Sequence, residues 1–265
     1  MERRSRTATC PKKSQRRGAA YPKKNRRRRK RAHQVSRLRR QLVVGLLILM
    51  VLFAHSAFQG SDDRSASEPS QAINLILQNP ELPNGCEVTS MAMALGAAGY
   101  PVDKLTLYGY LPQRPITNRG GQRFGPDPEE AYAGDAARLT GGWYCFEGPV
   151  IQAADRWLES CGSGLRAQSV TGLSRAELDR YAQNGIPLVV WVTLDYAAPQ
   201  CSGVFWTLED GTAYRPYRNL HCVVLAGVED GQYWVADPLA GFTQVDKDLF
   251  WDSFFAMDCR AVVIE

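Results

Sequence analysis

Leu82-Pro83-Asn84-Gly85-Cys86-Glu87-Val88-Thr89-Ser90-Met91-Ala92 decides how this 265-residue chain is read. It is a loop that runs into a helix, with a cysteine in the first helical turn. Asn84 is a good N-cap, and Glu87 three residues on completes a capping-box pattern. Val88, Met91, Ala92 and Leu95 recur at i, i+3, i+4 and i+7, which gives one apolar face. Gly96 or Gly99 can end the helix. Unpaired N–H groups and the helix dipole surround a cysteine placed there, and both favour a thiolate. A small buried apolar side chain is the competing reading, because free cysteines are among the most buried residue types.

Outward from that stretch, charge divides the chain. Residues 1–41 hold 18 of the 32 Lys and Arg and one acid, Glu2. The rest holds 14 basic and 26 acidic residues, so the modest formal charge of +5 conceals two electrostatic settings. The densest basic run, Asn25-Arg26-Arg27-Arg28-Arg29-Lys30-Arg31, has no apolar periodicity and cannot bury a core, so residues 1–41 read as a disordered cytoplasmic tail.

Residues 42–54 are 13 apolar residues in a row, and the uncharged stretch extends to Phe58 if His55 is neutral. That is the short end of a spanning helix. Basic residues precede it and Asp62 and Asp63 follow it, so the positive-inside rule keeps the N-terminus in the cytoplasm and exports the remainder. We read residues 42–59 as a transmembrane signal anchor. A cleaved signal peptide is the rival, with an unusually long charged region and only His55-Ser56-Ala57 as cleavage site. The basic tail then reads as a topology signal beside anionic lipid, and no nucleic-acid partner is expected. Residues 60–72 are small and polar, a linker, and a globular domain begins at 73 and runs to 265.

Within 73–265, the spacing predicts helices over 150–160 and 174–184, the second with Ser174 as cap, Glu177 three residues on and Gly185 past its end. Residues 108–148 are rich in Gly, Pro and aromatics with little periodicity, and long stretches of that kind are usually functional. They are equally compatible with surface loop plus packed aromatics. Pro187-Leu188-Val189-Val190-Trp191-Val192-Thr193-Leu194 reads as a buried strand. Two hairpins turn at Glu209-Asp210-Gly211 and Glu229-Asp230-Gly231, and 261–264 reads as a closing strand. Helices first and antiparallel strands after give an α+β order.

Beyond the membrane edge there is one histidine, His221, so a Cys86 nucleophile has a single imidazole available as base. His221 opens one strand of the second hairpin, and Asp237 closes the other. Antiparallel pairing brings both to the same end of the sheet. A carboxylate there holds the imidazole by one nitrogen while the other faces the thiol. The 135 residues from Cys86 to His221 match the chain order and spacing of papain-like enzymes.

These residues resemble a known family. Residues 78–90, Gln78-Asn79-Pro80-Glu81-Leu82-Pro83-Asn84-Gly85-Cys86-Glu87-Val88-Thr89-Ser90, are similar to the active-site segment of the C39-like, papain-fold cysteine peptidases, in particular the stand-alone membrane-anchored bacterial branch. Asp127-Pro128-Glu129-Glu130-Ala131-Tyr132, Asn219-Leu220-His221-Cys222-Val223 and Trp234-Val235-Ala236-Asp237-Pro238 resemble later blocks. The resemblance spans about 73–265. It implies an α+β papain-like fold, Cys86 as nucleophile, His221 as general base, Asp237 as its orienter and Gln78 as side-chain donor of an oxyanion hole. It implies hydrolysis of a peptide or protein substrate without a cofactor. A cell-wall peptide amidase and an inactive peptide-binding domain are the alternatives. The similar peptidase domains of peptide exporters cut after paired glycines and have a shorter Gln-to-Cys gap.

The remaining exported cysteines, Cys145, Cys161, Cys201, Cys222 and Cys259, leave connectivity open. No paired Cys/His spacing suggests a metal site. Cys222 points to the opposite strand face from His221, which favours core packing.

Overall fold

A computed structural model describes residues 73–265. The predicted tail 1–41, span 42–59 and linker 60–72 lie outside the described residues. Among the described residues, no helix is long and apolar enough to cross a membrane. In chain order the helices are α1 (Cys86–Ala97), α2 (Lys104–Tyr110), α3 (Glu147–Ser160), α4 (Arg175–Gln183) and α5 (Lys247–Ala256). The strands are β1 (Gln113–Arg114), β2 (Thr117–Arg119), β3 (Gln122–Phe124), β4 (Tyr132–Ala133), β5 (Ala167–Ser169), β6 (Leu188–Thr193), β7 (Trp206–Thr207), β8 (Ala213–Tyr214), β9 (Leu220–Glu229), β10 (Gln232–Asp237), β11 (Gly241–Asp246) and β12 (Ala261–Ile264).

A six-stranded sheet in the order β11-β10-β9-β6-β12-β5 organises these elements, with every neighbouring pair antiparallel. The central strands β6 and β9 are covered on both faces. Val189, Trp191, Cys222 and Val224 join the core beneath α1, whereas Val190, Val192, Val223 and Leu225 face the core with α4 and α5. Burial on both faces is why 187–194 and 221–228 read as continuous apolar runs rather than alternating ones. Short strands built from 113–133 and 206–214 make two smaller sheets, β1-β4 and β2-β3-β7-β8.

Helix α1 departs from its expected form. Every residue from Cys86 to Leu95 is buried, polar Glu87, Thr89 and Ser90 included, so no solvated face balances the predicted apolar one. Its N-cap is Gly85, with no side-chain cap bond, and not Asn84. A Cβ at Gly85 would stand 2.7 Å from Leu82 Cβ, which is why the loop needs glycine there. Asn84 is instead drawn into the neighbouring loop: its N–H donates to Ala136 O (3.1 Å), its Nδ2 to Arg138 O (2.6 Å), and its carbonyl accepts from the Tyr132 hydroxyl (2.7 Å). The helix ends at Ala97, and Gly99 (φ 89°) supplies the left-handed turn beyond it.

Elsewhere the local signals hold in place. α3 starts three residues before the expected boundary at 150. The Ser174/Glu177 pair forms the reciprocal capping box. Helix α2, strand β5, edge strand β11 and helix α5 were not anticipated.

Candidate active site

Two features bring the predicted residues to one place. The β9–β10 hairpin sets His221 near the start of β9 and Asp237 at the end of β10. His221 Nε2 lies 2.8 Å from Asp237 Oδ1, with both side chains largely enclosed. Asp237 Oδ1 also accepts the N–H groups of Leu239 (2.7 Å) and Ala240 (3.3 Å), so the turn that ends β10 holds the carboxylate in place. Burial opposes its charge, but the His221 contact and the two turn N–H groups outweigh that and hold Asp237 below the usual carboxylate range. An ionised Asp237 accepts from Nε2–H, which leaves Nδ1 as the imidazole's free acceptor.

The second feature is a cleft of about 620 Å³ that Gln78, Cys86 and His221 all line. Its far wall comes from the Gly/aromatic stretch: Ile116, Gly141, Gly142, Trp143 and Tyr144 face the opening. Tyr132 and Phe146 of the same stretch are core residues, so part of 108–148 lines the cleft and part packs in the core. The wall is packed against the loop that precedes Cys86. A Cβ at Gly142 would come 2.5 Å from Asp135 O and 3.1 Å from Asn84 Cβ.

Gln78 reaches the cleft through its own supports. Its N–H donates to Pro238 O (2.8 Å), so the residue after Asp237 anchors it. Its Nε2 donates one proton to Pro83 O (2.7 Å), and its buried Oε1 has no hydrogen-bond partner among the described residues. Lys104, on the first turn of α2, gathers the same loop: Nζ donates to the Leu77 and Gln78 carbonyls (2.9 Å to the latter) and pairs with Glu81 at 2.8 Å. Sequence reasoning missed Lys104, because nothing in its neighbours ties it to a loop 26 residues earlier.

The electrostatics of Cys86 overturn one expectation. A first-turn cysteine was expected to favour the thiolate. Here Cys86 is 8 % exposed, and burial, followed by the charge and hydrogen bond of Glu87, pushes the thiol well above its ordinary value. The backbone N–H of Cys222 works against that push without overcoming it. Helix-end effects are worth about 0.3–1 kcal/mol, too little to offset removal of a charge from water. The Cys86 thiol lies 3.4 Å from Glu87 Oε2, and the other oxygen of Glu87 accepts the Cys145 N–H at 3.0 Å. Burial pushes Glu87 up to about 7, against the pull of its own N–H, the Cys145 N–H and the thiol. Glu87 is thus the site residue that sequence mislabels as a cap. Its N–H-capped, acidic position gave no sign of the buried setting.

Cys222 packs in the core under α1, where Ser90 Oγ donates to its carbonyl (3.1 Å). Cys145, Cys161, Cys222 and Cys259 are free thiols. Among the described residues, no group of three or more His, Cys, Asp or Glu side chains is placed to hold a metal ion.

A cysteine at a helix start and a histidine–carboxylate pair on a facing hairpin, around one cleft of an α+β fold, define the class: a domain of cysteine-peptidase type. The chain belongs to the Peptidase_C39 like family, which it matches over residues 70–261. It is similar to "Uncharacterized protein YvpB" of Bacillus subtilis (strain 168), at 30 % identity over 202 residues, 74 % of this chain and 76 % of that one. It is also similar to the crystal structure titled as a "putative C39-like peptidase" from Bacillus anthracis. There the TM-score is 0.62 and the identity 29 %, over 73 % of this chain and 94 % of that one.

Proposed function

We propose that this chain is a membrane-anchored cysteine peptidase whose catalytic domain faces away from the cytoplasm. The observation that carries the reading is that His221 lines the same cleft as Cys86 while its Nε2 lies 2.8 Å from Asp237 Oδ1. Cys86 is the nucleophile, and His221 Nδ1 accepts its proton as sulfur attacks the amide carbon. The carbonyl oxygen then carries the negative charge. Two donors suit it: the Cys86 N–H, which as first residue of α1 has no intrahelical acceptor, and the second proton of Gln78 Nε2. His221 returns its proton to the leaving amine as the C–N bond breaks. Water, deprotonated by the same imidazole, then hydrolyses the thioester and frees Cys86. Because burial and Glu87 keep the resting thiol protonated, the imidazole is needed as acceptor in the first step.

Residues 42–59, preceded by the basic segment, support the anchor and its orientation. A C-terminal phosphatase fusion that is active only outside the cytoplasm tests that topology, and an inactive fusion counts against it. For the chemistry, the full-length chain is treated with a thiol-directed peptidase probe. Labelling is expected at Cys86 and is expected to slow about 100-fold or more in His221→Ala. Equal labelling of the two proteins overturns the triad. Turnover of a mixed peptide library, with Cys86→Ala as control, separates a peptidase from an inactive binding domain.

A further inference from the structure

The cleft has a charge character that the proposed chemistry leaves unused. Two arginines line it, Arg123 on β3 and Arg218 just before β9, and no Asp or Glu does. This contrasts with the domain around it. Residues 73–265 carry 13 basic and 23 acidic side chains. Eight of the 13 are ion-paired: Lys104, Arg114, Arg138, Arg166, Arg175, Arg180, Lys247 and Arg260. Arg123 and Arg218 pair with no carboxylate among the described residues, although acidic side chains outnumber basic ones nearly two to one there.

Arg218 is also held in position. Its N–H donates to Gln200 O (2.9 Å) and its Nε to Gln200 Oε1 (3.0 Å). Asn219 fastens the same loop, accepting from the Gln200 N–H (2.8 Å) and donating to Ala198 O (3.1 Å). The guanidinium is therefore fixed through Nε, and both terminal nitrogens are left without an acceptor among the described residues. A fork fixed in that way matches a carboxylate, which it can grip with two parallel bonds. Within an acidic domain, two unpaired cations in one concavity focus positive potential where the substrate enters.

We propose that Arg123 and Arg218 make this cleft selective for peptides carrying acidic groups, Asp or Glu side chains or a terminal carboxylate, near the bond presented to Cys86. The proposal rests on the peptidase reading of the same cleft. Its opposite, a cleft for basic peptides, would place two like charges against the substrate.

The test is binding of two labelled random decapeptide pools to full-length Cys86→Ala. The pools differ only in having Asp and Glu, or Lys and Arg, at the randomised positions. The acidic pool is expected to bind about 10-fold more tightly, and Arg123→Gln with Arg218→Gln in the same background to remove most of that difference. The basic segment 1–41 itself attracts the acidic pool but is common to all the proteins, so the readout is the change in preference between variants, in which its contribution cancels. Arg218→Glu is expected to move the preference toward the basic pool. Both side chains are exposed, so these changes spare the core. A preference that is absent, or unchanged in the double variant, overturns the proposal. Turnover of the pools by the protein with Cys86 intact is read separately. No turnover of either pool removes the peptidase reading and leaves the binding result to stand or fall by itself.

Discussion

Glu87 Oε2 sits 3.4 Å from Cys86 Sγ, so the first two residues of α1 share a hydrogen bond inside the protein. The carboxyl is 1 % exposed and opposes loss of the thiol proton, both by charge and by accepting that proton. Replacing it with an isosteric amide keeps an acceptor for the Cys145 N–H and removes the charge. Glu87→Gln is therefore expected to lower the Cys86 thiol pKa by about one unit or more, since like-charge terms of this kind reach that size. The pH profile of Cys86 alkylation by iodoacetamide checks it. A midpoint that stays put, or moves to higher pH, contradicts the role given to Glu87.

The same carboxyl links stability to pH. Its pKa is about 7 in the fold against an ordinary 4.5, so the fold favours the neutral acid. The associated stability is fully present below about pH 4.5 and is lost as pH rises to about 7. At 1.36 kcal/mol per pH unit the loss is roughly 3 kcal/mol. Gln does not titrate. The stability of Glu87→Gln relative to the parent should then increase steadily from pH 4.5 to 7 and level off above. Urea midpoints measured across that range decide it, and a flat difference would refute the linkage.

Asp237→Asn addresses the other end of the site. The amide can offer its N–H₂ to Nε2, which favours the tautomer with its proton on Nδ1, where a base needs a lone pair. Peptide turnover is expected to fall by about 10³–10⁴-fold with little change in thermal unfolding, the pattern of a wrong tautomer in an intact site. Fully retained turnover would show that the carboxylate does not orient His221.

Much of this site was legible because hairpins obey register. Once Glu229-Asp230-Gly231 was read as a turn, His221 and Asp237 had to share a sheet end, and the observed pairing of Val224 with Ala236 puts them there. Capping was not legible in the same way. Asn84/Glu87 and Ser174/Glu177 show the same spacing, yet only the exposed pair forms the box. Asn84 is claimed by residues 136 and 138, and Glu87, on a helix with no solvated face, takes the Cys145 N–H instead. Tertiary contacts made that choice, and no local pattern records them. Helix α5 escaped notice for a related reason. Its residues Leu249, Phe250, Trp251, Phe254 and Phe255 spread apolar groups around the helix, so no single stripe marks it, although Asp246 caps it through the N–H groups of Asp248 and Leu249.

Lys104 makes a prediction that separates chemistry from folding. It ties the Leu77 and Gln78 carbonyls to α2, and Gln78 matters in the proposed mechanism only when charge builds on the substrate oxygen. Lys104→Met keeps most of the stem and frees the loop. Peptide kcat is expected to fall about 10-fold or more through a misplaced oxyanion donor, while Cys86 alkylation, which needs no oxyanion, stays within about two-fold. Equal losses in both assays would mean that Lys104 merely supports the fold.

Arg260, the residue before β12, closes the core between β12, α3 and the 127–131 loop. Its guanidinium meets Glu129 at 2.6 and 3.2 Å and Glu147 at 2.5 Å, and lies 3.8 Å from the centre of the Phe146 ring. Glu147 is as buried as the arginine, with Thr171 Oγ1 as its one further side-chain partner among the described residues. Truncation by Arg260→Met leaves that carboxylate charged and enclosed, a situation that costs about 3–5 kcal/mol. For a domain of this size the melting temperature should drop by roughly 10 °C. Arg260→Met combined with Glu147→Gln removes the orphaned charge and should recover a good part of the loss. A double variant no more stable than the single one would mean that the arginine acts through packing on Phe146 rather than through its charge.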